Sequence, residues 1–281
     1  MLAAVAQMCS TSNVAHNARL ACSVIRRAAA ASASLVYLPE AADFAGAEAK
    51  DVSRLSKALD ESEFVRDVRR QAKESGIWVG VGVHEKATAE QCYNTNLLIN
   101  NQGDIVQTYR KLHLFDVDIK GGVTIFESKT TVKGDKLLKP YQTPIGKIGS
   151  LTCYDLRFPE VSLSLRRQGA ELLTYPSAFT LRTEVLLRAR AIETQSYVLA
   201  PAQIGTHAPG RQSYGHALIV DPWGGILAQA SDRPPKDGRA GEEDEDAAQF
   251  VLAEIDLEWL ESLRREMPLW DQRRSDVYPV L

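Results

Sequence analysis

The sequence predicts a mixed α/β protein built as a layered sandwich. Apolar, strand-like runs alternate with amphipathic helical runs in the first third of the chain, and the same order recurs after residue 146. Each of these two parts ends in a pair of strands that resembles a hairpin, which favours mixed sheets covered by helices over a fully parallel, doubly wound sheet. The 281 residues are enough to bury a sizeable core.

The first part of the chain alternates single strands with helices and then adds a hairpin. The helices carry apolar residues at helical spacing, and Gly76 stands where the second helix needs a left-handed residue to end it. The sequence Asn-Asn-Gln-Gly at 100–103 has the composition of a turn between antiparallel strands. The predicted strands cover residues 2–8, 35–38, 77–83, 96–99 and 105–109, and the predicted helices cover residues 13–33 and 62–75.

The second part repeats this order and then becomes polar. Residues 233–249 are rich in Pro, Gly and acidic side chains, which is typical of a solvated loop, and a polar tail covers residues 268–281. No linker is long enough to force a boundary, so a single domain over residues 1–281 is predicted. The predicted strands cover residues 147–152, 171–175, 197–202, 215–220, 225–230 and 250–255, and the predicted helices cover residues 159–168, 184–195 and 257–265.

The composition indicates which kinds of partner and which cellular location are expected. Lys and Arg total 33 against 36 Asp and Glu, a net charge of −3, so no broad basic surface for nucleic acid is expected. The apolar run at 28–38 is much shorter than the roughly 20 residues of a membrane span. Residues 1–8 lack the features of a secretory or transit leader, which makes the cytoplasm the expected location.

The sequence offers no familiar site for a metal or a nucleotide. The four cysteines have no C-x-x-C spacing, histidines do not form metal-binding pairs, and no glycine-rich phosphate loop occurs. A reduced protein without a cofactor is therefore expected.

Three residues of suitable chemistry follow predicted strands. Cys153 lies at a strand-to-helix turn, where backbone N–H groups lower a thiol pKa and stabilise an oxyanion. Glu40 is placed to act as a general base, and the Lys111 cation could balance charge on a carbonyl oxygen. Each residue alone also fits an ordinary structural role: an inert buried thiol, a capping carboxylate or a solvated lysine.

Together these residues resemble the Glu-Lys-Cys triad of the nitrilase superfamily, the carbon–nitrogen hydrolases. The sequences Tyr-Leu-Pro-Glu at 37–40, Tyr-Arg-Lys-Leu-His-Leu-Phe at 109–115 and Cys-Tyr-Asp-Leu-Arg-Phe-Pro-Glu at 153–160 are similar to family motifs, and the resemblance extends through 187–195, 213–216 and 221–224. It implies a four-layer αββα sandwich and a cofactor-independent hydrolase that acts through a cysteine thioester.

The resemblance also implies further site residues and an oligomer. Glu127 matches a second glutamate of the family, which would hold the lysine in place and keep it charged. The backbone N–H of Tyr154 would join Lys111 in stabilising the oxyanion. The subunits of this family pair through helices beside the active site, so at least a homodimer is expected.

Within the superfamily, the sequences at 155–160, 188–195 and 273–278 are most similar to the deaminated glutathione amidases. This similarity implies hydrolysis of deaminated glutathione to 2-oxoglutarate and cysteinylglycine, a metabolite-repair reaction on a small-molecule amide. Arg157 is the candidate for binding a substrate carboxylate, unless it pairs with Glu160 and only braces the turn. Thr180 is a weaker candidate for a polar contact with the substrate.

Four alternatives stay open at this point. An ω-amidase for 2-oxoglutaramate-like monoamides, or a carbamoylase, would use the same chemistry. A papain-like Cys-His pair would need His113 or His216 beside the thiol, although such histidines are more often structural. A retaining glycosidase would need the carboxyl groups of Glu40 and Glu127 about 5–5.5 Å apart and would leave Cys153 unexplained. A silent binding protein is disfavoured because the triad is intact.

Overall fold

A computed structural model of the chain describes residues 1–46, 49–122, 124–179, 183–232 and 248–278. In this part of the chain, no helix is both long and apolar enough to cross a membrane. The helices are α1 (Val14–Ala30), α2 (Ala49–Leu55), α3 (Glu63–Ser75), α4 (Pro159–Arg167), α5 (Glu184–Thr194) and α6 (Leu257–Glu266). The strands are β1 (Leu2–Met8), β2 (Leu35–Tyr37), β3 (Trp78–Lys86), β4 (Cys92–Ile99), β5 (Ile105–Arg110), β6 (Asp116–Asp118), β7 (Thr124–Phe126), β8 (Thr131–Val132), β9 (Tyr141–Thr143), β10 (Gly146–Ser150), β11 (Leu172–Thr174), β12 (Tyr197–Ala200), β13 (Ala202–Ala208), β14 (Arg211–Tyr214), β15 (Leu218–Val220), β16 (Ile226–Gln229) and β17 (Gln249–Glu254).

Two large mixed sheets contain most of these strands. The first has the order β14-β13-β1-β2-β3-β4-β5, with β17 paired antiparallel to β1 and β8 paired parallel to β4. The second has the order β16-β15-β12-β11-β10-β9, in which β10, β11 and β12 are parallel. The short strands β6 and β7 form a separate antiparallel pair.

The two sheets pack face to face, with helices on both outer surfaces. Side chains alternate along a strand, so Ala4, Ala6 and Met8 of β1 pack against α1 and α3, whereas Ala3 and Val5 face the second sheet. The outer face of the second sheet packs against α4 and α5 in a third apolar cluster. This α-β-β-α order confirms the predicted four-layer sandwich.

The structure agrees with most of the predicted elements and corrects one of them. The strand at Leu2–Met8 and the left-handed cap at Gly76, with φ of +63°, are as predicted. The single strand predicted at 197–202 is wrong, because the chain leaves the second sheet after β12 and enters the first sheet as β13. Pro201 separates the two strands, and its missing N–H group cannot continue a ladder.

The C-terminal part differs from the prediction at one boundary. Gln249, predicted to end the acidic loop at 233–249, is the first residue of β17. Residues 233–247 lie outside the described part of the chain, as do the last three residues of the tail.

The side chain of Tyr37 links the two sheets through hydrogen bonds. Its hydroxyl donates to Asn96 Oδ1 (2.9 Å) in the first sheet and accepts from Thr174 Oγ1 (3.4 Å) in the second. Gly80 is its neighbour in register on β3, and a Cβ atom there would overlap the Tyr37 ring. The position therefore requires glycine, although alanine has the better intrinsic strand preference.

We expect Gly80→Ala to lower the free energy of unfolding by about 1–3 kcal/mol, because the buried ring has no space into which to move. Urea denaturation measures this change. In a Tyr37→Leu background the same substitution should cost less, since the overlapping ring is gone. An equal cost in both backgrounds would contradict the overlap as the cause.

Candidate active site

Four ionisable side chains from separate parts of the chain meet at one cavity. Glu40 follows β2, Lys111 follows β5, Glu127 begins a 3-10 helix (Glu127–Lys129) after β7, and Cys153 begins a second 3-10 helix (Cys153–Arg157) after β10. All four line a cavity of about 470 Å³. The structure thus brings together the residues that the sequence singled out.

The ammonium group of Lys111 lies between two carboxylates. The residue is only 2% exposed, so the charge is shielded from water. Its Nζ donates to Glu40 Oε1 (3.1 Å) and to both oxygens of Glu127 (3.1 and 2.9 Å). Burial alone would lower the pKa of Lys111, yet Glu127 and Glu40 raise that pKa well above its ordinary value. Lys111 is therefore charged.

Further donors hold the two carboxylates in place. Asn94 of β4 donates through Nδ2 to Glu40 Oε1 (2.7 Å) and to Glu127 Oε1 (3.1 Å). The backbone N–H of Ala178 donates to Glu40 Oε2 (2.8 Å), and that of Phe115 donates to Glu127 Oε2 (2.7 Å). Asn94 was not predicted from the sequence, because it has no local motif of its own and reaches the two carboxylates only through the pairing of β4 in the first sheet.

The surroundings shift the pKa values of Glu40 and Cys153 in opposite directions. Burial alone would raise the pKa of Glu40, but the Lys111 ammonium, followed by hydrogen bonds from Asn94 and Cys153, lowers that pKa below its ordinary value. Burial, followed by the negative charge of Glu40, raises the pKa of the Cys153 thiol well above its ordinary value, although Lys111 opposes this. A neutral thiol thus lies beside an ionised carboxylate, as general-base activation of the thiol requires.

The backbone at Cys153 is strained and is held by buried hydrogen bonds. Its φ is +46°, in the left-handed region, which costs a residue other than glycine about 1–3 kcal/mol. Cys153 N donates to the carbonyl of Pro176 (3.1 Å). The buried Asp155 carboxylate accepts from Thr152 N (3.0 Å) and from the Tyr109 hydroxyl (2.7 Å), which fixes the turn from both sides.

The two candidate histidines are structural. His113 pairs through Nδ1 with Asp155 Oδ1 (2.7 Å), and its ring stacks on Phe158 at a centroid distance of 3.7 Å. The ring of His216 stacks on Tyr214 at 4.2 Å. Neither histidine belongs to the described lining of the cavity, so the arrangement does not support a papain-like Cys-His pair.

The residues predicted to bind substrate differ in whether they lie at the cavity. Tyr154 and Arg157 both line the cavity, and the Tyr154 N–H lies in the first turn of its 3-10 helix, where N–H groups lack partners within the helix. Arg157 is exposed and forms no ion pair with Glu160 or with any other described carboxylate. Thr180 lies outside the described residues.

A second arginine, Arg211, also lines the cavity. It was not predicted as a site residue, although it stands only two residues before the Ser-Tyr-Gly-His sequence at 213–216.

We expect Glu40→Gln to lower the pKa of Cys153, because the substitution removes the carboxylate that raises this pKa and leaves the Lys111 ammonium that lowers it. The rate of alkylation by iodoacetamide as a function of pH measures the shift. Cys153→Ser gives the background from Cys9, Cys22 and Cys92, whose pKa values burial raises to about 11, 11 and 12. Glu160→Gln is the matched control, and an unchanged or higher Cys153 pKa in Glu40→Gln would refute this electrostatic account.

Comparison with known proteins places this site in a family. The model of the carbon-nitrogen hydrolase family matches residues 2–265. The deaminated glutathione amidase of Homo sapiens is 43% identical and aligns with 99% of this chain and 83% of its own length. The Caenorhabditis elegans NitFhit protein is 41% identical in sequence, and its crystal structure superposes with a TM-score of 0.88. The match covers 99% of this chain and 66% of that longer protein. Saccharomyces cerevisiae Nit3, a member of the nitrilase superfamily, is 29% identical, with a TM-score of 0.81 over 98% of this chain and 96% of its own. The resemblance seen in the sequence is confirmed, and the chain belongs to the carbon–nitrogen hydrolase family, whose members act on C–N bonds of non-peptide amides.

Proposed function

We propose that the protein is a cofactor-independent amidase that hydrolyses deaminated glutathione to 2-oxoglutarate and cysteinylglycine. The observation that carries the proposal is that Glu40, Lys111 and Cys153 line one cavity, where the Lys111 ammonium is bound to the Glu40 carboxylate (3.1 Å). The choice of substrate is supported by relatives about 43% identical over nearly the whole chain, which bear the name deaminated glutathione amidase.

In the proposed first step, Glu40 removes the proton from the Cys153 thiol while sulfur attacks the amide carbon. The carbonyl oxygen becomes an oxyanion, stabilised by the Lys111 ammonium and the Tyr154 N–H. The C–N bond then breaks, and Glu40 gives its proton to the nitrogen of the leaving cysteinylglycine. The acyl half remains on Cys153 as a thioester.

In the second step, the same carboxylate activates water. Glu40 takes a proton from a water molecule as its oxygen attacks the thioester carbon, and the proton returns to sulfur when the C–S bond breaks. 2-Oxoglutarate leaves and the free thiol is restored. Glu127 takes no proton in this scheme, and its two hydrogen bonds from Lys111 keep the ammonium directed at the reacting oxygen.

Arg157 is proposed to bind the carboxylate of the 2-oxo acid half. It stands four residues after Cys153 on the same 3-10 helix and lines the cavity. A guanidinium can bind a carboxylate through two parallel hydrogen bonds, which lysine cannot reproduce. A polar contact of Thr180 with the substrate stays a proposal.

We expect the purified protein to release 2-oxoglutarate faster from deaminated glutathione than from 2-oxoglutaramate, because deaminated glutathione is the substrate in the names of relatives that are 43% identical. Comparing kcat/KM for the two substrates is the test. A strong preference for 2-oxoglutaramate would favour the ω-amidase alternative.

We expect Cys153→Ala to abolish turnover while preserving the melting temperature. Intact-mass analysis during turnover should find an acyl adduct on the wild type alone. An active Cys153→Ala protein would exclude the thioester mechanism.

Further proposals concern the organisation and location of the protein. We propose that residues 1–281 form one hydrolase domain, which fits a family match that spans residues 2–265. The cytoplasm remains the proposed location. A net charge of −3 gives no reason to expect a nucleic acid partner.

A homodimer is proposed to form through the exposed face of α5. Val185 and Ile192 lie seven residues apart on this helix and are 73% and 45% exposed, and Trp223 on the turn after β15 is 60% exposed. The turn packs on α5, since Arg188 Nε donates to the carbonyl of Gly224 (2.7 Å). Such an apolar patch beside the active-site turn is suited to burial between two subunits.

We expect light scattering to give at least twice the chain mass of 31.0 kDa at micromolar concentration. Ile192→Asp should lower this mass, because a charge on the apolar face would be buried without a partner. Ile119→Asp, an exposed isoleucine outside the patch, is the control and should leave the mass unchanged. A monomeric wild type would refute the proposal.

A further inference from the structure

The cavity contains one more permanent cation than the proposed chemistry uses. Among the described lining residues, Lys111, Arg157 and Arg211 carry permanent positive charge. Lys111 is paired with the carboxylates of Glu40 and Glu127, and Arg157 is proposed to bind the acyl half of the substrate. Arg211 is left without a role.

Arg211 comes from a different wall of the cavity than Arg157. It is the first residue of β14, the edge strand of the first sheet, and follows a tight turn in which Gly210 has a φ of +76°. Arg157 lies on the 3-10 helix that follows β10 of the second sheet. The two guanidinium groups can therefore contact different parts of one ligand.

The guanidinium of Arg211 is anchored but is not neutralised by any described carboxylate. Its Nη1 donates to the carbonyl of Gly46 (2.6 Å), which uses one of its five N–H donors. The residue is exposed, but desolvation by the surrounding walls lowers the pKa of Arg211, and the charges of Glu40 and Glu127 oppose this shift without forming an ion pair. The side chain nevertheless remains accessible from the cavity. A guanidinium at the cavity wall can bind an anionic ligand through charge-assisted hydrogen bonds.

The proposed substrate has two carboxylates, one on the 2-oxo acid half and one at the end of the leaving cysteinylglycine. The second lies farther from the reacting carbonyl than the first. Without cations to receive them, both would be repelled by Glu40 and Glu127, which carry more negative charge than Lys111 neutralises. Two cations that form no ion pair with a described carboxylate, on different walls, match this distribution of charge.

We infer that Arg211 binds the terminal carboxylate of the leaving cysteinylglycine half and thereby selects peptide-like amides over primary amides. This inference rests on the proposed function, since it takes deaminated glutathione as the substrate. Arg157 would select for the acyl half, and Arg211 for the leaving group.

The test compares three substrates: deaminated glutathione, its analogue with a terminal carboxamide, and 2-oxoglutaramate, which has no second carboxylate. Arg211→Gln should lower the ratio of kcat/KM for deaminated glutathione to that for 2-oxoglutaramate by about 10- to 100-fold, the range for a lost charge-assisted hydrogen bond. On the carboxamide analogue, the wild type and Arg211→Gln should be equally slow, because the interaction is already absent. Arg157→Lys should instead lower kcat/KM for all three substrates.

Arg69→Gln is the matched control, because Arg69 also donates to a glycine carbonyl (Gly103, 2.7 Å) but lies on α3, away from the cavity. It should leave all three rates unchanged. An equal loss on every substrate, with a lower melting temperature, would assign Arg211 to the scaffold and overturn the inference while the proposed function stands. A wild type that hydrolyses only 2-oxoglutaramate would overturn both.

Discussion

The buried ammonium of Lys111, placed between two carboxylates, is the interaction on which the rest of the site depends. An unpaired charge in a protein interior costs several kcal/mol, so the fold must bring counter-charges to it. Glu40 and Glu127 come from parts of the chain far apart in sequence, and both contact the same Nζ atom. The ends of β2 and β5 and the 3-10 helix after β7 must therefore meet before Lys111 is satisfied. A buried ion pair of this kind is weak evidence for net stability, but removing one member would leave an uncompensated buried charge.

Two carboxylates and one ammonium leave an excess negative charge, which decides how the thiol can be activated. Burial, followed by the negative charge of Glu40, raises the pKa of the Cys153 thiol, because a preformed thiolate would be poorly hydrated and would lie beside a second negative charge. The site thus differs from thiol enzymes that keep a stable thiolate beside an imidazolium. The thiol proton must leave as the bond to the substrate forms, when negative charge moves from sulfur to the carbonyl oxygen. In the proposed mechanism Lys111 stabilises that oxygen, so the same cation would keep Glu40 ionised and stabilise the oxyanion.

The sequence predicted the parts of this arrangement that have a local signal. Strands such as Leu2–Met8 show as apolar runs, and Glu40, Lys111 and Cys153 are embedded in recognisable motifs. The contribution of Asn94 could not be predicted, because its two carboxylate partners are brought to it by strand pairing and by the separate 3-10 turn. The change of sheet at Pro201 was also missed. Periodicity reports that a residue is in a strand but does not report which sheet that strand joins.

That change of sheet connects the base with the wall of the cavity. Ala41, which follows Glu40, has a φ of +54°, a strained conformation for a residue with a Cβ atom. Gln203 of β13 holds this backbone, because its Nε2 donates to the carbonyls of Glu40 (2.9 Å) and Ala41 (3.2 Å). Such a backbone can persist only where surrounding contacts fix it, and here they come from the strand that begins after Pro201. The same strand turns back as β14, which carries Arg211 into the cavity. One hairpin, formed because the chain leaves the second sheet, thus both holds the backbone of Glu40, the proposed general base, and carries Arg211, the cation proposed to bind the distal carboxylate.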